Sequence, residues 1–125
     1  MVDVANVMGA RPDGWWRDRA GAALRLGREV AALTRQADGP ASAWVLVLEG
    51  RARDAVPLLA AELAGTPARV VYAPGSGDDA IVQVVAEAVG QDESCLVVTA
   101  DRDLRQRCEE LNASVVGPGW LLGRL

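Results

Sequence analysis

Short apolar runs rich in valine and leucine alternate along this chain with stretches of helical periodicity, and that alternation leaves few architectures open. The runs are Val2-Asp3-Val4-Ala5-Asn6-Val7, Trp44–Glu49, Arg69–Ala73, Cys95–Val98 and Ser114–Val116. After the first run, Met8–Gly14 carries loop chemistry, and a long helix is expected from Trp15 or Trp16, with Asp13 as its N-cap. Ala20, Leu24, Val30 and Leu33 form its apolar stripe, and Gly39-Pro40 ends it. A second helix is expected over 56–63, where Pro57 fits the first turn, and a third over 78–89 after the tight loop 74–77, with Ile81, Val84, Val85 and Val89 facing inward. Leu104, Cys108 and Leu111 recur at i, i+4, i+7 and mark a fourth, while a last turn covers 120–125. Right-handed crossovers then give an α/β chain of three layers, α/β/α, with a mostly parallel sheet of about five strands in a single domain over 1–125.

Acidic residues fall where strands hand over to helices. Asp101 and Asp103 follow the run ending at Val98, Asp78-Asp79 opens the third helix, Glu49 closes the second strand, and Asp3 lies within the first. The carboxyl edge of an open parallel sheet is where ligands bind, so these acids are expected to share one cleft. Each also has a plainer reading. Asp101 suits the N-cap of its helix, and Ser76-Gly77-Asp78-Asp79 is close to a capping box whose acids favour a helix N-terminus. Asp3 resists such a reading most, since an acid between Val2 and Val4 in a central strand needs a partner or a metal. Asn6 is a turn-former or donates its amide to a carboxylate. Clustered acids repel unless a cation joins them, and oxygen ligands without histidine or cysteine suit Mg2+ or Mn2+.

Composition narrows the chemistry. The chain has no histidine, which removes histidine-based mechanisms and, with only Cys95 and Cys108 as thiols, the usual zinc patterns. Both cysteines read as small core residues in a reducing compartment. There is no apolar run long enough to span a membrane and no basic-then-apolar leader, so a cytoplasmic location is the expectation. The net charge of −4 opposes a general electrostatic grip on nucleic acid. All thirteen basic residues are nevertheless arginine, and several cluster near acids: Arg11, Arg17 and Arg19, then Arg102, Arg105 and Arg107. Arginine favours phosphate through its bidentate fork; a GC-rich genome also produces arginine without lysine, and both explanations stand.

Three of these segments together resemble NYN domains, a branch of the PIN-like nuclease superfamily that includes the YacP-like proteins. Val2-Asp3-Val4-Ala5-Asn6-Val7 is similar to the family's opening D-G-x-N-(V/I). Gly77-Asp78-Asp79-Ala80-Ile81-Val82 is similar to its paired aspartates at a helix start, and Thr99-Ala100-Asp101-Arg102-Asp103-Leu104 to its T/S-x-D-x-D-L element. Glu49 falls where many members carry an acid after strand two. Val4-Ala5 replaces the usual Gly-Tyr or Gly-Ser, so the loop after the first strand departs from the family's.

The resemblance implies a metal-dependent ribonuclease on a PIN-like fold. Asp3, Asp78, Asp79 and Asp101 would be catalytic, and Asp3, Asp79, Asp101 and Asp103 would hold Mg2+ or Mn2+, cutting RNA to leave a 5′-phosphate and a 3′-hydroxyl. Asn6, Arg11, Arg102 and Glu49 would contact the substrate. Trp15 and Trp16 would stack on a base, pack at a helix start, or meet a second copy of the chain in a homodimer. Two other classes remain open: a metal-dependent phosphatase or nucleotide pyrophosphohydrolase on the same acids, and a non-catalytic RNA- or protein-binding module.

Overall fold

Every strand of the sheet runs parallel to its neighbours, in the order β3-β2-β1-β4-β5. This is seen in a computed structural model that describes residues 1–36, 41 and 43–125. The strands are β1 (Val2–Asp3), β2 (Trp44–Glu49), β3 (Ala68–Ala73), β4 (Leu96–Val98) and β5 (Ser114–Val116). The helices are α1 (Val4–Gly9), α2 (Arg19–Thr34), α3 (Val56–Leu63), α4 (Gly77–Gly90), α5 (Arg102–Glu110) and α6 (Pro118–Leu122). The α/β/α arrangement expected from the alternation is therefore present.

The sheet's two faces are covered by different helices, and side-chain parity decides which residue meets which. Val2, Leu46, Leu48 and Val98 join one core with Val4 and Val7 of α1, Leu26 and Val30 of α2, Leu59 of α3 and Leu121 of α6. Val47, Ala73 and Val97 face the other way and join Ile81 and Val85 of α4 with Leu104 and Cys108 of α5. Each fully buried leucine or isoleucine contributes about 1.5–3 kcal/mol of transfer free energy. Gly27 is buried at the meeting of α2 and α3, where a Cβ would overlap Leu59, so the absent side chain sets how closely these helices approach. Cys95 and Cys108 are free thiols, half-buried and buried, and burial raises both of their pKa values.

Several expected boundaries move. The first strand stops at Asp3 instead of reaching Val7, and residues 4–9 are helical. The reason is that Val4, Val7 and Met8 fall at i, i+3, i+4, so the same apolar residues that suit a strand also bury one helix face. Asp3 ends the strand by accepting a hydrogen bond from the Asn6 amide, as an N-cap does. The long helix opens later than its tryptophans: Trp15–Arg17 is a 3-10 turn, and Asp18 rather than Asp13 caps α2 through Gly21. Its buried seam includes Ala23, Leu26, Gly27, Val30 and Ala31 as well as Leu33, while Ala20 and Leu24 are half-buried. The stop assigned to Gly39-Pro40 lies outside the described residues. A 3-10 stretch, Gly50–Ala55, precedes α3. The last turn is α6, which starts at Pro118. Among the described residues, no helix is long and apolar enough to cross a membrane.

Candidate functional site at the carboxyl edge of the sheet

The strand order reverses direction between β1 and β4, and such a switch point opens a crevice at the carboxyl ends of parallel strands. Asp3 ends β1 at this crevice, and the segment Thr99–Asp101 leaves β4 on its other side. Val2 pairs with Val98, so the next residues, Asp3 and Thr99, stand side by side on the face covered by α4 and α5. The Thr99 hydroxyl donates to Asp3 Oδ2 at 2.9 Å. Among the described residues these two are the only buried polar side chains, at 7% and 2% exposure, and they bond to each other.

Further bonds join the two loops. The Asn6 side-chain carbonyl accepts from the Ala100 amide at 2.7 Å, and the Asp101 amide donates to the Thr99 hydroxyl at 3.1 Å. Asn6 thus ties α1 to the loop after β4 through its oxygen; among the described residues it makes no side-chain amide donation to a carboxylate, the alternative to a turn that the sequence offered. Asp101 caps α5, its Oδ1 accepting from Leu104 at 3.0 Å. Glu49 lies two residues beyond Val47, on the same face as Asp3, and its Oε2 accepts from the Gly77 amide at 2.6 Å. It thereby caps α4, which Ser76 leaves without a side-chain cap. A Cβ on residue 77 would lie 2.8 Å from Glu49 Oε2, so glycine is what permits this approach.

The electrostatics group Asp3, Glu49, Asp78 and Asp101. Burial raises the Asp3 pKa to about 6 against the pull of the Thr99 and Asn6 hydrogen bonds, and the charges of Asp78 and Glu49 push it further up. The Asp78 pKa is also raised, first by burial and then by Asp101 and Glu49, with Arg107 opposing. None of the four forms a salt bridge among the described residues. Asp79 is engaged elsewhere: it is exposed and pairs with Arg107 at 2.9 Å across α4 and α5. Asp103 is exposed in the first turn of α5.

Among the described residues, no group of three or more histidine, cysteine, aspartate or glutamate side chains is arranged to hold a metal ion. The donor chemistry still suits a hard cation, because the acids carry only oxygen donors and Asp3 is buried without a salt-bridge partner among the described residues. Mg2+ in particular keeps much of its water and takes only one or two carboxylates.

The arginines divide. Arg11 forms a double contact with Glu29 of α2, one of its bonds 3.1 Å long, and is committed to that pair. Arg102 is exposed beside Asp101 and has no ion-pair partner among the described residues. The Thr99–Asp3 pair is a contributor that the sequence reading passed over. Threonine directly after a buried strand, one register step from an acid in the adjoining strand, was its available signal. No protein-family model, curated protein or solved structure matches the chain.

Proposed function

We propose that this chain is a metal-dependent ribonuclease of the PIN-like kind, using the acids at the β1–β4 switch point. The observation that carries the reading is Asp3: a buried carboxylate at the carboxyl edge, held by Thr99, pressed by Asp78 and Glu49, and paired with no arginine among the described residues. In this reading Asp3, Asp78 and Asp101 hold Mg2+ or Mn2+, directly and through water, while Asp79 and Asp103 belong to the rim. When bound, such an ion acidifies water and polarises a phosphoryl oxygen. Thr99 holds the Asp3 carboxylate in one orientation, and the Asn6–Ala100 bond fixes the loop that presents Asp101. Arg102, exposed and next to Asp101 in the chain, would neutralise a phosphate in the transition state.

A second reading, a non-catalytic binding module, draws on the same hydrogen bonds: Asp3 and Asp101 both act as helix caps, and among the described residues no three acids stand as ready ligands. Assays of wild type and Asp101→Asn on unstructured RNA, with Mn2+ and with EDTA, separate the two. Cleavage that needs Mn2+ and is lost in the variant supports the ribonuclease. Absence of cleavage by the wild type favours the binding module, and hydrolysis of nucleotides but not RNA moves the assignment to a phosphatase or pyrophosphohydrolase.

A further inference from the structure

We propose that Trp16, with the guanidinium groups of Arg17 and Arg19, forms a stacking platform for single-stranded nucleic acid beside the acidic crevice. Trp16 is 57% exposed, the most exposed of the large apolar side chains among the described residues. Its position is built. Gly14 takes a left-handed conformation, φ 76°, and accepts from the Arg17 amide at 3.0 Å, closing the 3-10 turn that carries both tryptophans. Consecutive residues of such a turn diverge, so Trp15 packs against the core while Trp16 projects outward. The rings meet edge to face at 90° with centroids 6.0 Å apart, which holds Trp16 upright. The Arg17 guanidinium lies 5.8 Å from the Trp16 centroid, and that of Arg19 lies 5.5 Å from the Trp15 centroid.

Charge identifies the occupant. The whole chain carries −4, yet Arg17 and Arg19 have no ion-pair partner among the described residues; Arg17 lies over the exposed Trp16 ring and Arg19 over the adjoining Trp15 ring. An aromatic face for a base with guanidinium groups for the adjoining phosphates is the chemistry that binds single strands. A second copy of the chain fits poorly: in a two-fold contact the patch meets itself and sets arginine against arginine. Location agrees. Gly9 of α1 sits against Trp15, where a Cβ would be 3.9 Å from its ring. Asn6, one helical turn earlier, is bonded to Ala100 in the crevice.

The inference rests on the ribonuclease reading for its choice of ligand, so it is tested where no cleavage is needed. Fluorescence anisotropy of labelled oligouridylate and oligothymidylate is measured in EDTA for wild type, Trp16→Ala, Trp16→Phe and a double variant with Arg17→Ala and Arg19→Ala. Thermal melts confirm that each is folded, and sedimentation records its assembly state. Trp16→Ala is expected to weaken binding roughly tenfold or more, with Trp16→Phe retaining part of the affinity. The arginine variant is expected to flatten the salt dependence. Such a result supports the platform whether or not the wild type cleaves RNA. Equal affinity of wild type and Trp16→Ala overturns it even if the wild type is an active nuclease. So does absence of binding by the wild type, or a wild-type dimer that Trp16→Ala splits without changing affinity.

Discussion

The Thr99 hydroxyl and the Asp3 carboxylate form a buried hydrogen bond of 2.9 Å that joins β4 to β1 where the strand order reverses. The same hydroxyl accepts from the Asp101 amide, so one small side chain links the central acid to the loop that presents the next. Thr99→Val keeps the shape and removes both bonds. It is expected to destabilise the fold by about 1.5–3 kcal/mol, the range for a hydrogen bond to a charged group. Urea unfolding at neutral pH measures this; an unchanged midpoint would mean that the bond contributes nothing.

Asp3 also makes stability depend on pH. Its pKa in the fold is about 6, above the ordinary aspartate value of 3.8, so the folded state holds more protons than the unfolded state between these values. The stabilising contribution is complete below about pH 4 and is lost as pH rises through about 6. It amounts to on the order of 2–3 kcal/mol. Asp3→Asn removes the titration, so its stability relative to wild type, without metal, is expected to grow from pH 4 to pH 6 and then level off. Parallel curves for the two proteins across that range would contradict the burial of a charged Asp3.

Asp101 is both cap and acid, and two substitutions separate the roles. Asp101→Asn retains the cap, since asparagine ranks with aspartate at that position, and is expected to melt at or slightly above the wild-type temperature. Asp101→Ala loses the bond to Leu104 and is expected to cost about 1 kcal/mol. Equal melting of the two variants would remove the capping role.

Gly27→Ala tests the core away from the acids. The added methyl overlaps a Leu59 methyl, so Leu59 must repack or α2 and α3 must part, at an expected cost of about 1–3 kcal/mol. Alanine's better helix propensity offsets up to about 1 kcal/mol of this. A variant more stable than wild type would show that the helices yield freely.

Much of the layered fold is legible in the residues. The valine-rich runs at 44–49, 69–73, 96–98 and 114–116 are strands because each is short, apolar and followed by turn residues. The first run misleads because Val4, Val7 and Met8 satisfy the helical period as well as a strand's composition, and only the cap at Asp3 decides between them. Asp18 is a nearer capping residue than Asp13, but recognising this requires knowing that Gly14 turns the chain into a separate 3-10 segment. At the site, the sequence marks the acidic junctions without saying where each side chain turns. Asp78 and Asp79 are adjacent on α4, yet one feels Asp101 and Glu49 while the other pairs with Arg107, a distinction made by the packing of α5. Arg11 illustrates the same limit: its proximity to Asn6 in the chain gave no hint of Glu29, which lies on the following helix.

If Asp3, Asp78 and Asp101 hold a divalent cation, as we propose, thermal unfolding with and without Mn2+ shows it. Millimolar Mn2+ is expected to raise the wild-type melting temperature in a concentration-dependent way, by mass action on the folded state. Asp3→Asn and Asp101→Asn, each folded, are expected to lose most of that rise. A wild-type melting temperature unmoved by Mn2+ and by Mg2+ would rule the cation site out.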